Sequence, residues 1–264
     1  MVFNYVELLN KQITKTFAVE VNFMVLQVSP IKIEPNITWE ALPADFVLPD
    51  DPVENIQQPI LAAALTDALG AAGLIQPEML VGSSFGLVAS VNSRTIVKAP
   101  DWFYVPRVNP ISEEFARRSY TPNLEGEPVA IVMEFLSETE GGELSIRATP
   151  PYGKLYFYER ILQVPTYVIY DPSVSSIEVR CLQNGRYVLQ EPNSQGQVWI
   201  PELDLFLGIW LGTRLGQSMN WLRWYDRSGK LLLWSAEQAE RERQRSEILA
   251  AKLRELGVDP DTLT

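Results

Sequence analysis

The chain has 264 residues, one cysteine, no histidine and a formal net charge of −11. The missing histidines exclude Ser-His-Asp and Cys-His catalysis and imidazole metal ligands, and the lone Cys181 excludes an intramolecular disulfide and any multi-cysteine zinc site. Chemistry is left to Asp, Glu, Lys, Tyr and Ser, a set that suits hard, oxygen-bound cations; the acidic balance, with a pI near 4.6, argues against indiscriminate phosphate-backbone binding while allowing a local basic patch.

Residues 1–35 contain "TFAVEVNFMVLQV", where Phe17, Val19, Val21, Phe23 and Val25 alternate as in a strand. This part reads as an added strand or extension. No apolar run reaches the roughly 18 residues of a membrane helix, and "NFMVLQV" lacks the basic start and cleavage site of a secretory signal, so a cytoplasmic, membrane-free protein is expected. A Pro- and acid-rich stretch follows. "PILAAALTDALGAAG" then predicts a helix, with Leu61, Leu65 and Leu69 every fourth residue and Gly73 as a stop.

"SFGLVAS" and "RTIVK" predict a hairpin across Val91-Asn92-Ser93, and a further strand begins at Pro100-Asp101. "EPVAIVMEFLS" predicts a buried strand and "PPYGKLYFYERIL" a second helix with proline in its first turn. "TYVIYDP" is another short buried strand, and "IEVRCLQ" and "RYVLQ" form a hairpin around Asn184-Gly185. Two aromatic-rich strands are expected to flank Ser228-Gly229. Trp221, Trp224, Tyr225 and Trp234 could stack bases, but their spacing favours core packing or interface burial. Residues 235–264 start with a charged helix carrying Ile248, Leu249, Leu253 and Leu256 on one side, which suits a partner helix or a homodimer contact. Helix, hairpin, strand, strand, helix, strand is the order of an α/β protein with a mixed sheet flanked by helices.

Glu134 stands out because it lies in the apolar run Val129–Leu136. A carboxylate among apolar neighbours is costly unless its charge is compensated. If the strand at Asp101 is its neighbour in the sheet, the two carboxylates converge and repel unless a cation lies between them. Such a cation would acidify a bound water and stabilise charge on a phosphoryl oxygen, and Lys154 on the next helix could add a positive group. Taken singly, Asp101 suits a turn after Pro100, Glu134 a strand end reaching solvent or an arginine, Lys154 a solvated first helical turn, and Ser137 a strand-end cap. Glu54 and Asp67, at or near the first helix, read as surface charges.

The order PD…E-x-x-S…K-x-x-x-Y…Y-x-x-x-D-P resembles the Uma-type restriction endonuclease domains, a branch of the PD-(D/E)XK nuclease superfamily. The matching elements are Pro100-Asp101, "EFLS" from Glu134 to Ser137, Lys154 and Tyr158 in "KLYFY", and "YVIYDP" at 167–172. The resemblance spans residues 36–264, with 36–234 as the restriction-endonuclease-like domain and 235–264 as a helical appendage. It implies a Mg²⁺- or Mn²⁺-dependent endonuclease acting on DNA. Asp101 and Glu134 would hold the metal, with the Phe135 carbonyl as an extra ligand, Lys154 would assist the attacking water, and Ser137 and Tyr158 would support the site. The chain departs from the pattern at Leu136, where the superfamily's lysine normally stands, at Pro150, where the branch often has Asp, and in having no histidine near the first helix. These departures keep a second reading open, a nuclease fold that no longer cuts and serves binding or assembly.

Overall fold

Contacts divide the chain between Pro35 and Asn36, and a computed structural model describes residues 35–42, 56–111, 116–136 and 145–260. The expected strand over 17–25, together with Glu54 and Ser137, lies outside the described residues.

The elements in chain order are β1 (Ile37–Thr38), α1 (Gln57–Ala71), β2 (Leu80–Gly82), β3 (Gly86–Val91), β4 (Arg94–Lys98), β5 (Trp102–Val105), β6 (Ser119–Tyr120) and β7 (Ile131–Phe135). Helix α2 follows as a short α-turn, Lys154–Tyr156, running into a π-helical stretch, Phe157–Leu162. Then come β8 (Thr166–Asp171), β9 (Ser176–Gln183), β10 (Arg186–Leu189), β11 (Val198–Ile200), β12 (Leu205–Arg214), β13 (Gln217–Tyr225) and α3 (Ser235–Glu255).

The central sheet has six strands in the order β10-β9-β8-β7-β5-β2. Only β7 and β8 run parallel, joined by the crossover that contains α2; the other pairs are antiparallel. Strand alternation sends Trp102, Ile131, Met133, Phe135, Val168 and Tyr170 to one face, where they pack with Leu61, Leu65 and Leu69 of α1 and the three-stranded sheet β11-β12-β13. Phe103, Val132, Tyr167 and Ile169 point to the other face, against α2 and β3. A mixed sheet between helices, with added hairpins and a terminal helix, is what the sequence predicts.

Two of the expected hairpins are present. Asn92 and Ser93 (φ 50° and 59°) turn β3 into β4, and Asn184 and Gly185 (φ 50° and 71°) turn β9 into β10. The aromatic strands differ from the expectation around Ser228-Gly229. They are β12 and β13, which turn at Leu215-Gly216 (φ 51° and 76°), while only one bridge, Tyr225 to Leu231, forms around Ser228. A leucine in the left-handed region carries no turn signal, which explains the displaced hairpin. Trp221, Trp224 and Trp234 are core residues, at most 2 % exposed.

Helix α2 also starts later than its prolines suggest. Gly153 is still extended, and a Cβ there would lie 2.1 Å from the Ser145 carbonyl oxygen. This close approach puts Lys154 at the first helical position.

Candidate active site

The site is built where β5 begins, beside the end of the antiparallel β7. Trp102 pairs with Met133, so one step outward Asp101 falls opposite Glu134, on the face that looks toward α2. Met133 and Trp102 present their backbone groups to each other, which makes the next pair the closer, non-hydrogen-bonded kind. Like charges placed so are mutually destabilising.

Pro100 explains how this end of the sheet is finished. The next ladder step would pair it with Phe135, but proline has no N–H and its carbonyl accepts from Ser84 N–H at 2.9 Å. Leu136 N–H donates to Tyr170 on the β8 side, so the N–H and C=O of Phe135 face the gap left by β5. Two side chains fill it. The Phe135 N–H donates to Asp101 Oδ2 at 2.5 Å, and Gln58 Nε2 donates to the Phe135 carbonyl at 2.6 Å. Buried backbone groups require such partners, and both side chains are buried, Asp101 at 7 % and Gln58 at 4 % exposure.

Glu134 is 1 % exposed. Lys154 and Tyr158 lie four residues apart on one side of α2, and both reach it: Lys154 Nζ is 3.2 Å from Oε2, and the Tyr158 hydroxyl donates to Oε1 at 2.8 Å. Tyr158 packs on Tyr167, which stacks on Tyr187, whose hydroxyl donates to the Val164 carbonyl. Burial pushes the Glu134 carboxyl up to about 8; Lys154 pulls it down, Asp101 pushes it further up, and the Tyr158 hydrogen bond lowers it. Desolvation thus outweighs the lysine, and the balance is shifted toward the protonated carboxyl. Burial first, and then the neighbouring Glu134 carboxyl group, keeps the Tyr158 hydroxyl protonated.

Asp101, Glu134, Lys154 and Tyr158 are therefore brought together from β5, β7 and α2. The Phe135 carbonyl lies at the same place but accepts from Gln58. Asp67 is elsewhere, paired with Arg214 at 3.0 Å. Among the described residues no cluster of three or more His, Cys, Asp or Glu side chains could hold an ion. The oxygens here still fit a hard divalent cation, since Mg²⁺ takes one or two carboxylates and keeps several waters, and Asp101 and Glu134 lie close enough for one charge to raise the pKa of the other. Gln58 is the member that the sequence reading missed. A glutamine in a first helical turn gives no signal, and only the missing N–H of Pro100 hints that a donor must come from elsewhere.

A mixed sheet with carboxylates and a lysine gathered at the end of two neighbouring strands defines a restriction-endonuclease-like protein. Residues 49–214, more than half of the chain, match the Uma2 family, described as "Putative restriction endonuclease". The chain belongs to that family. No curated protein matches it. No helix among the described residues is long and apolar enough to cross a membrane.

Proposed function

We propose that this nuclease-like protein is a Mg²⁺- or Mn²⁺-dependent endonuclease that hydrolyses phosphodiester bonds in DNA. The observation that carries the reading is the opposition of Asp101 and Glu134 at the buried end of β5 and β7, with Lys154 3.2 Å from Glu134. A divalent ion held by these two carboxylates would acidify a water and offset charge on the phosphate. Asp101, fixed by the Phe135 N–H, presents its carboxylate from the strand end. A cation held there would supply the positive charge that burial and Asp101 deny the Glu134 carboxyl, and so favour its ionised form. Lys154 offsets the negative charge that develops at the reacting phosphate, and Tyr158 holds the Glu134 carboxyl group in place.

The test is nicking of supercoiled plasmid with Mg²⁺ or Mn²⁺ by the wild type, Asp101→Asn and Glu134→Gln. Nicking by the wild type alone supports the reading. Equal nicking by all three proteins assigns it to a contaminant or another site.

Two observations favour a non-cutting, binding or assembly role instead. Both Glu134 oxygens and the Phe135 carbonyl already have protein partners, and Leu136 stands where the superfamily's lysine is expected. The exposed Ile248 and Leu249 of α3, with Leu256 just after it, support self-association through residues 235–264 under either reading.

A further inference from the structure

We propose that Gln58 is a positioning residue of the carboxylate site, supplying the donor that Pro100 lacks and thereby fixing the Phe135 carbonyl beside the N–H that holds Asp101. The proposal rests on the metal-site reading above.

The geometry is specific. In a continued ladder, residue 100 would both accept from the Phe135 N–H and donate to its carbonyl. Asp101 does the first and Gln58 the second, from opposite ends of the Phe135 residue. Gln58 comes from a helix 77 positions away in sequence, so this one side chain couples the start of α1 to the end of β7. The buried Leu61, one turn on, packs the helix start into the core against the sheet, which leaves the glutamine little freedom. A carbonyl has two lone pairs. With Gln58 on one of them, the carbonyl keeps a defined direction, as second-shell donors give to metal-site oxygens.

Gln58 also contributes no charge. Asp101, Glu134 and Lys154 are the ionisable groups gathered here, and an amide at the third place adds no further attraction for a cation. A carboxylate of the same length would stand 2.6 Å from a candidate ligand oxygen and could share the cation.

The experiment is Mn²⁺ titration of the full chain by calorimetry, for the wild type, Gln58→Met and Gln58→Glu, with melting temperatures measured without metal. Loss of the donor in Gln58→Met is expected to weaken Mn²⁺ affinity about tenfold, the scale of outer-shell substitutions. Gln58→Glu is expected to tighten it by a similar factor. Weaker Mn²⁺ binding by Gln58→Met at an unchanged melting temperature is an outcome that a merely structural glutamine does not give. Wild-type binding with unchanged affinity in both variants overturns the role of Gln58 and leaves the metal site standing. No binding by the wild type overturns the metal-site reading and this proposal with it. If Gln58→Met does not fold, Gln58→Asn, which keeps the amide donor on an arm too short to reach, decides: weaker Mn²⁺ binding supports the role, and unchanged affinity overturns it.

Discussion

Lys154 Nζ lies 3.2 Å from Glu134 Oε2, yet the Glu134 carboxyl is raised to about 8. The pair is therefore a buried hydrogen-bonded contact in which burial outweighs attraction, and its protonation is linked to folding. Glu134 binds its proton more tightly folded than unfolded. The stability this contributes is complete below the ordinary carboxylate range and is lost as pH rises through about 8. Metal-free protein should melt at progressively lower temperature from pH 5 to pH 9, with a slope of up to about 1.4 kcal/mol per pH unit for one proton. Glu134→Gln should flatten that dependence. A melting temperature that rises over this range in the wild type would contradict the assignment.

Lys154→Met removes the group that draws the Glu134 carboxyl downward. The pH at which the metal-free protein loses stability should move upward, and plasmid nicking should fall by at least about 100-fold if the lysine offsets charge at the phosphate. Retained nicking would leave Lys154 as a packing partner of Glu134 only.

Tyr158→Phe deletes a fully buried hydroxyl and leaves Glu134 Oε1 without its donor. A loss of about 1–3 kcal/mol is expected from chemical denaturation, the cost of an unsatisfied buried polar group. A neutral effect would mean that another group replaces the hydroxyl.

Gly153→Ala should harm the site through the backbone. The added methyl would meet the Ser145 carbonyl oxygen at 2.1 Å, so either residue 145 or the first turn of α2 must move. Stability should fall by about 1–3 kcal/mol, as for other overpacked positions, and nicking should fall further than stability because Lys154 is the next residue. Activity lost only in proportion to folded protein would show that Lys154 keeps its place.

The C-terminal helix can be divided into an anchor and a free arm. Arg223 is 0 % exposed, pairs with Glu237 at 2.6 Å and lies 3.4 Å from the Trp234 ring centroid, while Trp234 Nε1 donates to the Ala64 carbonyl at 3.0 Å. Removing residues after Gln244 keeps this anchor and deletes Ile248, Leu249 and Leu256. The truncated chain should melt like the full one, and if the arm is a dimer contact, light scattering should find a dimer for the full chain and a monomer for the shorter cut. Removing residues from Ser235 onward should instead cost about 3–5 kcal/mol, because Arg223 loses its buried partner. Equal mass for the full chain and the shorter cut would dismiss the arm as a dimer contact.

The sequence by itself determined the elements whose signals are local. Leu61, Leu65 and Leu69 marked α1, the Asn-Ser and Asn-Gly turns marked two hairpins, and the apolar run around Glu134 marked both β7 and a carboxylate needing a partner. The order of Pro100-Asp101, Glu134, Lys154 and Tyr158 pointed to the family. Tertiary structure alone decided what depends on register and long-range pairing. It set Asp101 opposite Glu134, since a pairing register cannot be read from either strand alone. It moved the aromatic hairpin to Leu215-Gly216, where the leucine in the left-handed region hides the turn. It also brought Gln58 to the Phe135 carbonyl, because a backbone group left unpaired by proline takes its donor from whichever side chain the fold places within reach.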